Sequence, residues 1–165
     1  MGTRRNGAQT TIANRATLSG VGVHSGHAAS VTLHPAEADS GIYFYRTNLD
    51  DGRDREIPAD YRHVSATDLC TTIGVSGASV ATIEHLLATL RGMEIDNCMI
   101  EVDGPEVPVM DGSAEPFIDA IDQAGIETLA KARRYIKIRK PIRVELGNSF
   151  AELLPYEGRR VEIEI

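Results

Sequence analysis

Ile83, Leu86, Leu87 and Leu90 repeat at the i, i+3, i+4, i+7 spacing of one helical face, within a chain whose other apolar residues mostly alternate by two. That change of period limits the fold more than any other feature. Alternation comes first: Ser30-Val31-Thr32-Leu33-His34 stops at Pro35, and Gly41-Ile42-Tyr43-Phe44-Tyr45 follows as a second strand. Leu69 to Val75 is a further apolar run with Cys70 near its start. Ser79 or Thr82 can then cap a helix to about Arg91, with Gly92 as its stop. Asn97 to Val102 reads as a buried strand. Ser113 caps a second helix, with Glu115 and Pro116 in its first turn, Phe117, Ala120, Ile121 and Ala124 on one face and Gly125 as its stop. Lys131-Ala132-Arg133-Arg134 reads as a solvated linker or strand start, and alternation returns at Ile136/Ile138, Ile142/Val144, Phe150–Leu154 and Val161/Ile163/Ile165.

Strands followed by segregated helices indicate an α+β protein, a mainly antiparallel sheet with helices on one face as a two-layer sandwich. Residues 1–9 are polar and Gly-rich and are expected to be disordered. The domain plan expected is a first domain over 10–131 and the opening strands of a second, similar unit over 132–165. Three strands from Tyr135 onward present apolar faces with no helix behind them, so another layer is expected: the first unit, another chain (self-association through these strands included), or, as the favoured reading, a covering element in further chain.

Charge narrows the function. Lys plus Arg number 17 against 24 Asp plus Glu, a net −7, which disfavours duplex nucleic acid and anionic membrane as partners. No apolar run approaches the roughly 18–20 residues of a membrane span, and Arg4-Arg5 is not followed by the apolar core of a secretory signal. Two cysteines are too few for a disulfide scaffold, so the expected compartment is the reducing cytoplasm.

The sharpest chemical feature is Thr82-Ile83-Glu84-His85-Leu86-Leu87. Glu84 and His85 fall in the first turn of a helix, where the dipole favours a carboxylate anion and a neutral, metal-binding imidazole. A glutamate there is also ordinary capping chemistry, and one histidine does not make a zinc site, which takes about three protein ligands. His24 and His27 lie three apart in the glycine-rich Gly20-Val21-Gly22-Val23-His24-Ser25-Gly26 turn and its edge, a weak pair, and His34 and His63 have no ligand spacing. Cys70 and Cys98 read as buried structural thiols. Asp103-Gly104-Pro105-Glu106-Val107-Pro108-Val109-Met110-Asp111-Gly112-Ser113 does not match a calcium loop and reads as a rigid strand-to-helix connection.

These segments carry a resemblance. Gly20–Gly26, Thr82–Ala88, Ile95-Asp96-Asn97 and Glu101–Ala114 resemble the UDP-3-O-acyl-N-acetylglucosamine deacetylases, zinc enzymes of lipid A synthesis in Gram-negative bacteria, over about Gln9 to Ile165. The resemblance implies two similar β-α-α-β units, each a sheet with two helices on one face, and an active site at their junction. It implies His85 as a zinc ligand, Glu84 as the general base, and His24 and Cys70 near the cleft for a UDP-sugar substrate. The family takes its other two zinc ligands from a His-x-x-x-Asp pair in the second unit, to which no residue here corresponds. The chain is therefore expected to hold part of a zinc site and to be inactive alone. The alternative is a non-catalytic sugar-nucleotide binding or assembly module with the same fold; an unrelated α+β domain is what composition and periodicity leave open.

Overall fold

The computed structural model describes residues 7–50 and 55–165. In chain order its elements are β1 (Ala8–Ile12), β2 (Ala16–Val21), β3 (Ala28–His34), β4 (Ile42–Arg46), β5 (Arg55–Pro58), one 3-10 turn (Tyr61–His63), β6 (Val64–Ala66), β7 (Thr72–Val75), β8 (Ala78–Val80), α1 (Glu84–Gly92), β9 (Cys98–Val102), α2 (Glu115–Ala124), β10 (Ile126–Ala132), β11 (Ile142–Leu146) and β12 (Ser149–Leu153). The main sheet runs β2-β3-β9-β4-β5, with β6-β7-β8 as a separate three-stranded sheet. Within the main sheet only β4 and β9 run parallel. This is the α+β arrangement of a mainly antiparallel sheet with two helices.

Alternation decides which face is buried. Ala16, Leu33, Ile100, Phe44 and Ile57 are register partners from strand to strand, one row across all five strands. Leu33, Ile100, Phe44 and Ile57 are fully buried. Leu86 and Leu90 of α1 and Phe117 and Ile121 of α2 join the same core. Each such side chain contributes roughly 1.5–3 kcal/mol by leaving water. With few aromatic residues in the chain, that core is mostly aliphatic.

The chain divides into two compact units, Met1–Arg133 and Arg134–Ile165. The second contains the β11–β12 hairpin, where the Arg143 guanidinium lies 3.8 Å from the Phe150 ring centre. Its apolar residues Ile142, Val144, Leu146, Phe150 and Leu153 are exposed.

Several elements depart from what local patterning suggests. Of the stretch expected to be disordered, residues 1–6 lie outside the described residues, whereas Ala8 and Gln9 open β1. Polar bonding rather than burial of apolar surface orders this end: Gln9 Nε2 donates to Asp39 Oδ1 (2.7 Å), and the Asp39 N–H donates to Gln9 Oε1 (2.8 Å). Ile126–Ala132, whose pattern reads as a helix stop running into a basic linker or strand start, is a strand paired antiparallel with β1. Its partner sits at the far end of the sequence, where local patterning gives no sign of it. Ile136/Ile138 and Val161–Ile165 alternate but form no strand, because alternation needs a neighbouring ladder to become one.

Candidate active site

The first helix begins later than its capping signals suggest. Glu84 is its first residue, Ile83 occupies the cap position, and among the described residues no side chain caps it. Thr82 does not cap because its hydroxyl points elsewhere, donating to Glu106 Oε1 at 2.7 Å. Thr82 is buried with φ +56, in the left-handed region. For a β-branched residue that conformation costs of order 1–3 kcal/mol and persists only where the surroundings hold it. The second helix likewise starts at Glu115, yet Ser113 Oγ still accepts the Glu115 N–H at 3.1 Å.

Glu84 and Cys70 are brought close together along the chain path. Glu84 Oε2 accepts the N–H of Thr71, the residue after Cys70, at 3.1 Å. Cys70 Sγ lies 3.9 Å from Thr72 Oγ1 and is half-buried. His85 is half-buried, and its carbonyl accepts the Thr89 hydroxyl at 2.8 Å. His24 is exposed, on a turn closed by Gly22 N–H to His27 O (2.9 Å) and Gly26 N–H to Gly22 O (3.0 Å).

Glu106 joins these pieces, although its sequence surroundings read only as a connecting loop. It is 1% exposed. Its carboxylate accepts the His24 N–H (3.1 Å), the Ser25 N–H (2.8 Å) and the Thr82 hydroxyl (2.7 Å). Gly22 is glycine for a reason of space: a β-carbon there would collide with the Glu106 carboxylate and the Ser25 hydroxyl. The main chain around Glu106 is stitched on both sides. Ala81 N–H donates to Pro105 O (3.0 Å), Val107 N–H to Ala81 O (3.1 Å), and Val109 N–H to Val21 O (3.1 Å). The glycine turn, the start of α1 and the Asp103–Ser113 connection thus form one hydrogen-bonded body. Nothing in local spacing marks Glu106, since its partners lie 82, 81 and 24 residues away.

Burial pushes the Glu106 carboxyl up, but the hydrogen bonds from Ser25, Thr82 and His24 outweigh it and hold it down at about 2, against an ordinary 4.5. A depressed folded-state value means that the ionised carboxylate stabilises the fold fully above the unfolded value, and that this contribution is lost as pH falls from about 4.5 towards 2. Urea unfolding across that window should show a shallower acid loss in Glu106→Gln than in the wild type; equal slopes would show that Glu106 does not titrate with folding.

The remaining histidines and cysteines stand apart. His34 Nε2 pairs with Glu101 Oε2 at 3.1 Å. Burial pushes the Cys98 thiol up to about 12, as for an inert core thiol. Among the described residues, no three His, Cys, Asp or Glu side chains are grouped to hold a metal ion. His85 is thus a single donor against the roughly three a zinc site needs, and the described residues do not by themselves fit that ion. No described helix is long and apolar enough to cross a membrane.

Comparison with known proteins follows the same segments. The sequence profile of the UDP-3-O-acyl N-acetylglycosamine deacetylase family matches residues 9–165. UDP-3-O-acyl-N-acetylglucosamine deacetylases of Brucella ovis and Brucella canis are each 47% identical over 160 residues, 97% of this chain and 55% of theirs. That of Brucella melitensis is 46% identical over the same span. The chain spans about half the length of the curated relatives it matches. With a family profile covering nearly all of its residues, the chain belongs to the UDP-3-O-acyl N-acetylglycosamine deacetylase family.

Proposed function

We propose that this chain supplies one side of the active site of a zinc-dependent deacetylase that removes acetate from UDP-3-O-acyl-N-acetylglucosamine in lipid A synthesis. The observation that supports it best is the joining of three separated segments, the His24 turn, Thr82 just before α1 and the Glu106 connection, into one hydrogen-bonded body next in sequence to Glu84 and His85. In this reading residues 10–131 are the first β-α-α-β domain and 132–165 open the second. The two free thiols accord with a reducing, cytoplasmic setting.

Glu84 is the general base. Its Oε2 is fixed by the Thr71 N–H, and Oε1 has no hydrogen-bond partner among the described residues. That oxygen takes the proton of the attacking water and returns it to the departing amine. The Cys70-Thr71 connection before β7 and the His24 turn border the sugar nucleotide. His85 is one zinc ligand, and the other donors lie in the half of the relatives' length that this chain does not span.

Acetate release from UDP-3-O-acyl-N-acetylglucosamine tests this, with the full product of the source gene and the 165-residue chain side by side. The full product is expected to turn over and the chain alone is not. An inactive full product supplied with zinc overturns the reading; turnover by the chain alone overturns the division of the site.

A further inference from the structure

We propose that Glu106 is a positioning residue for this site: its carboxylate holds Thr82 in the left-handed conformation that starts α1, and ties that start to the His24 turn. The inference rests on the reading of Glu84 as base. It begins from chemistry that a plain turn does not require. A carboxylate with 1% exposure is met by neutral donors, the His24 and Ser25 main-chain N–H groups and the Ser25 and Thr82 hydroxyls, and no cation pairs with it among the described residues. Burying a charge in this way is costly, and a hydroxyl or amide would close a loop more cheaply.

What the carboxylate obtains is control over one strained residue. Thr82 lies two residues before Glu84 and three before His85, and its φ of +56 sets the direction in which the first helical turn leaves. If Thr82 relaxes towards the right-handed or extended regions, that turn is re-aimed. The same two oxygens fix His24 and Ser25, so the turn and the helix start move together or not at all. The space above Gly22 is filled by this carboxylate, so no other arrangement of the turn is packed there.

The test uses the full gene product with Glu106→Gln, Thr82→Val, Thr82→Ser and, as a matched core control, Ile100→Val. Glutamine keeps the shape of Glu106, but one of its ends must present an N–H to a donor. Valine keeps the shape of Thr82 without its hydroxyl; serine keeps the hydroxyl. Hydrogen exchange at His24 and Ser25 and steady-state deacetylation are read in each. In Glu106→Gln and Thr82→Val, both amides should exchange about tenfold faster or more, and kcat should fall by about tenfold or more while KM moves less than about threefold. Thr82→Ser should restore both, and Ile100→Val should lose stability without changing either. Should Glu106→Gln not fold, Thr82→Val against Thr82→Ser decides the same point. Faster exchange with an unchanged kcat makes Glu106 a staple only and overturns the inference while the deacetylase reading stands. An inactive wild type overturns the deacetylase reading and the inference with it.

Discussion

Replacing Glu84 by glutamine is expected to lower acetate release by the full gene product by about 10²–10⁴-fold, the usual contribution of a positioned general base. The expectation comes from geometry. Glu84 is the first residue of α1, and among the described residues only one of its oxygens is engaged, by the Thr71 N–H at 3.1 Å. A glutamine carbonyl can accept that same N–H, so the helix start and the Cys70-Thr71 segment stay joined. What is lost is the ability to hold a proton. Thermal stability and KM should therefore change little while kcat falls, the pattern of an interaction needed in the transition state rather than in binding. Activity within about threefold of wild type would assign the base elsewhere and leave Glu84 as an N-terminal helix anion.

Phe44→Ala should be the most damaging single change to the fold, costing about 3–5 kcal/mol. Phe44 is fully buried on β4 and lies between Ile57 of β5 and Ile100 of β9 in the row that crosses the main sheet. It is among the largest fully buried side chains, and its strand joins the parallel and antiparallel parts of the sheet. A cavity there is framed by strand backbones that cannot collapse without breaking ladder hydrogen bonds. Set against a total stability of roughly 5–15 kcal/mol, the loss is enough to populate unfolded chains at about 37 °C. Urea unfolding measures it directly, and a loss under about 1 kcal/mol would mean that the row is not the centre of the core.

The helices and the central strands are legible in the sequence because each has a periodic apolar face of its own. Leu86 and Leu90, Phe117 and Ile121, Val31 and Leu33 all go where their spacing sends them. The start of α1 is harder to read. Thr82 has the composition of a cap, but its hydroxyl is taken by a glutamate 24 residues on, so the cap position passes to Ile83 and the helix begins at Glu84. β10 escapes a local reading because its pairing partner, β1, lies at the opposite end of the sequence. Glu84, His85, His24 and Cys70 stand out through a family resemblance, since the spacing of Glu84 and His85 alone is equally that of a helix cap. Glu106 looks like loop because a carboxylate between Pro105 and Val107 shows nothing of its partners until the His24 turn is folded over it. Local period carries the layers; the site is made by long-range hydrogen bonds, which leave no period.

If α1 brings a base and a metal ligand to one place, the metal content of the full gene product shows it most directly, measured in wild type, Glu84→Gln and His85→Ala purified alike. About one zinc per chain is expected in wild type and in Glu84→Gln, with loss of that zinc in His85→Ala while the fold stays intact. Zinc held equally well by His85→Ala would contradict the placing of a metal ligand on this helix.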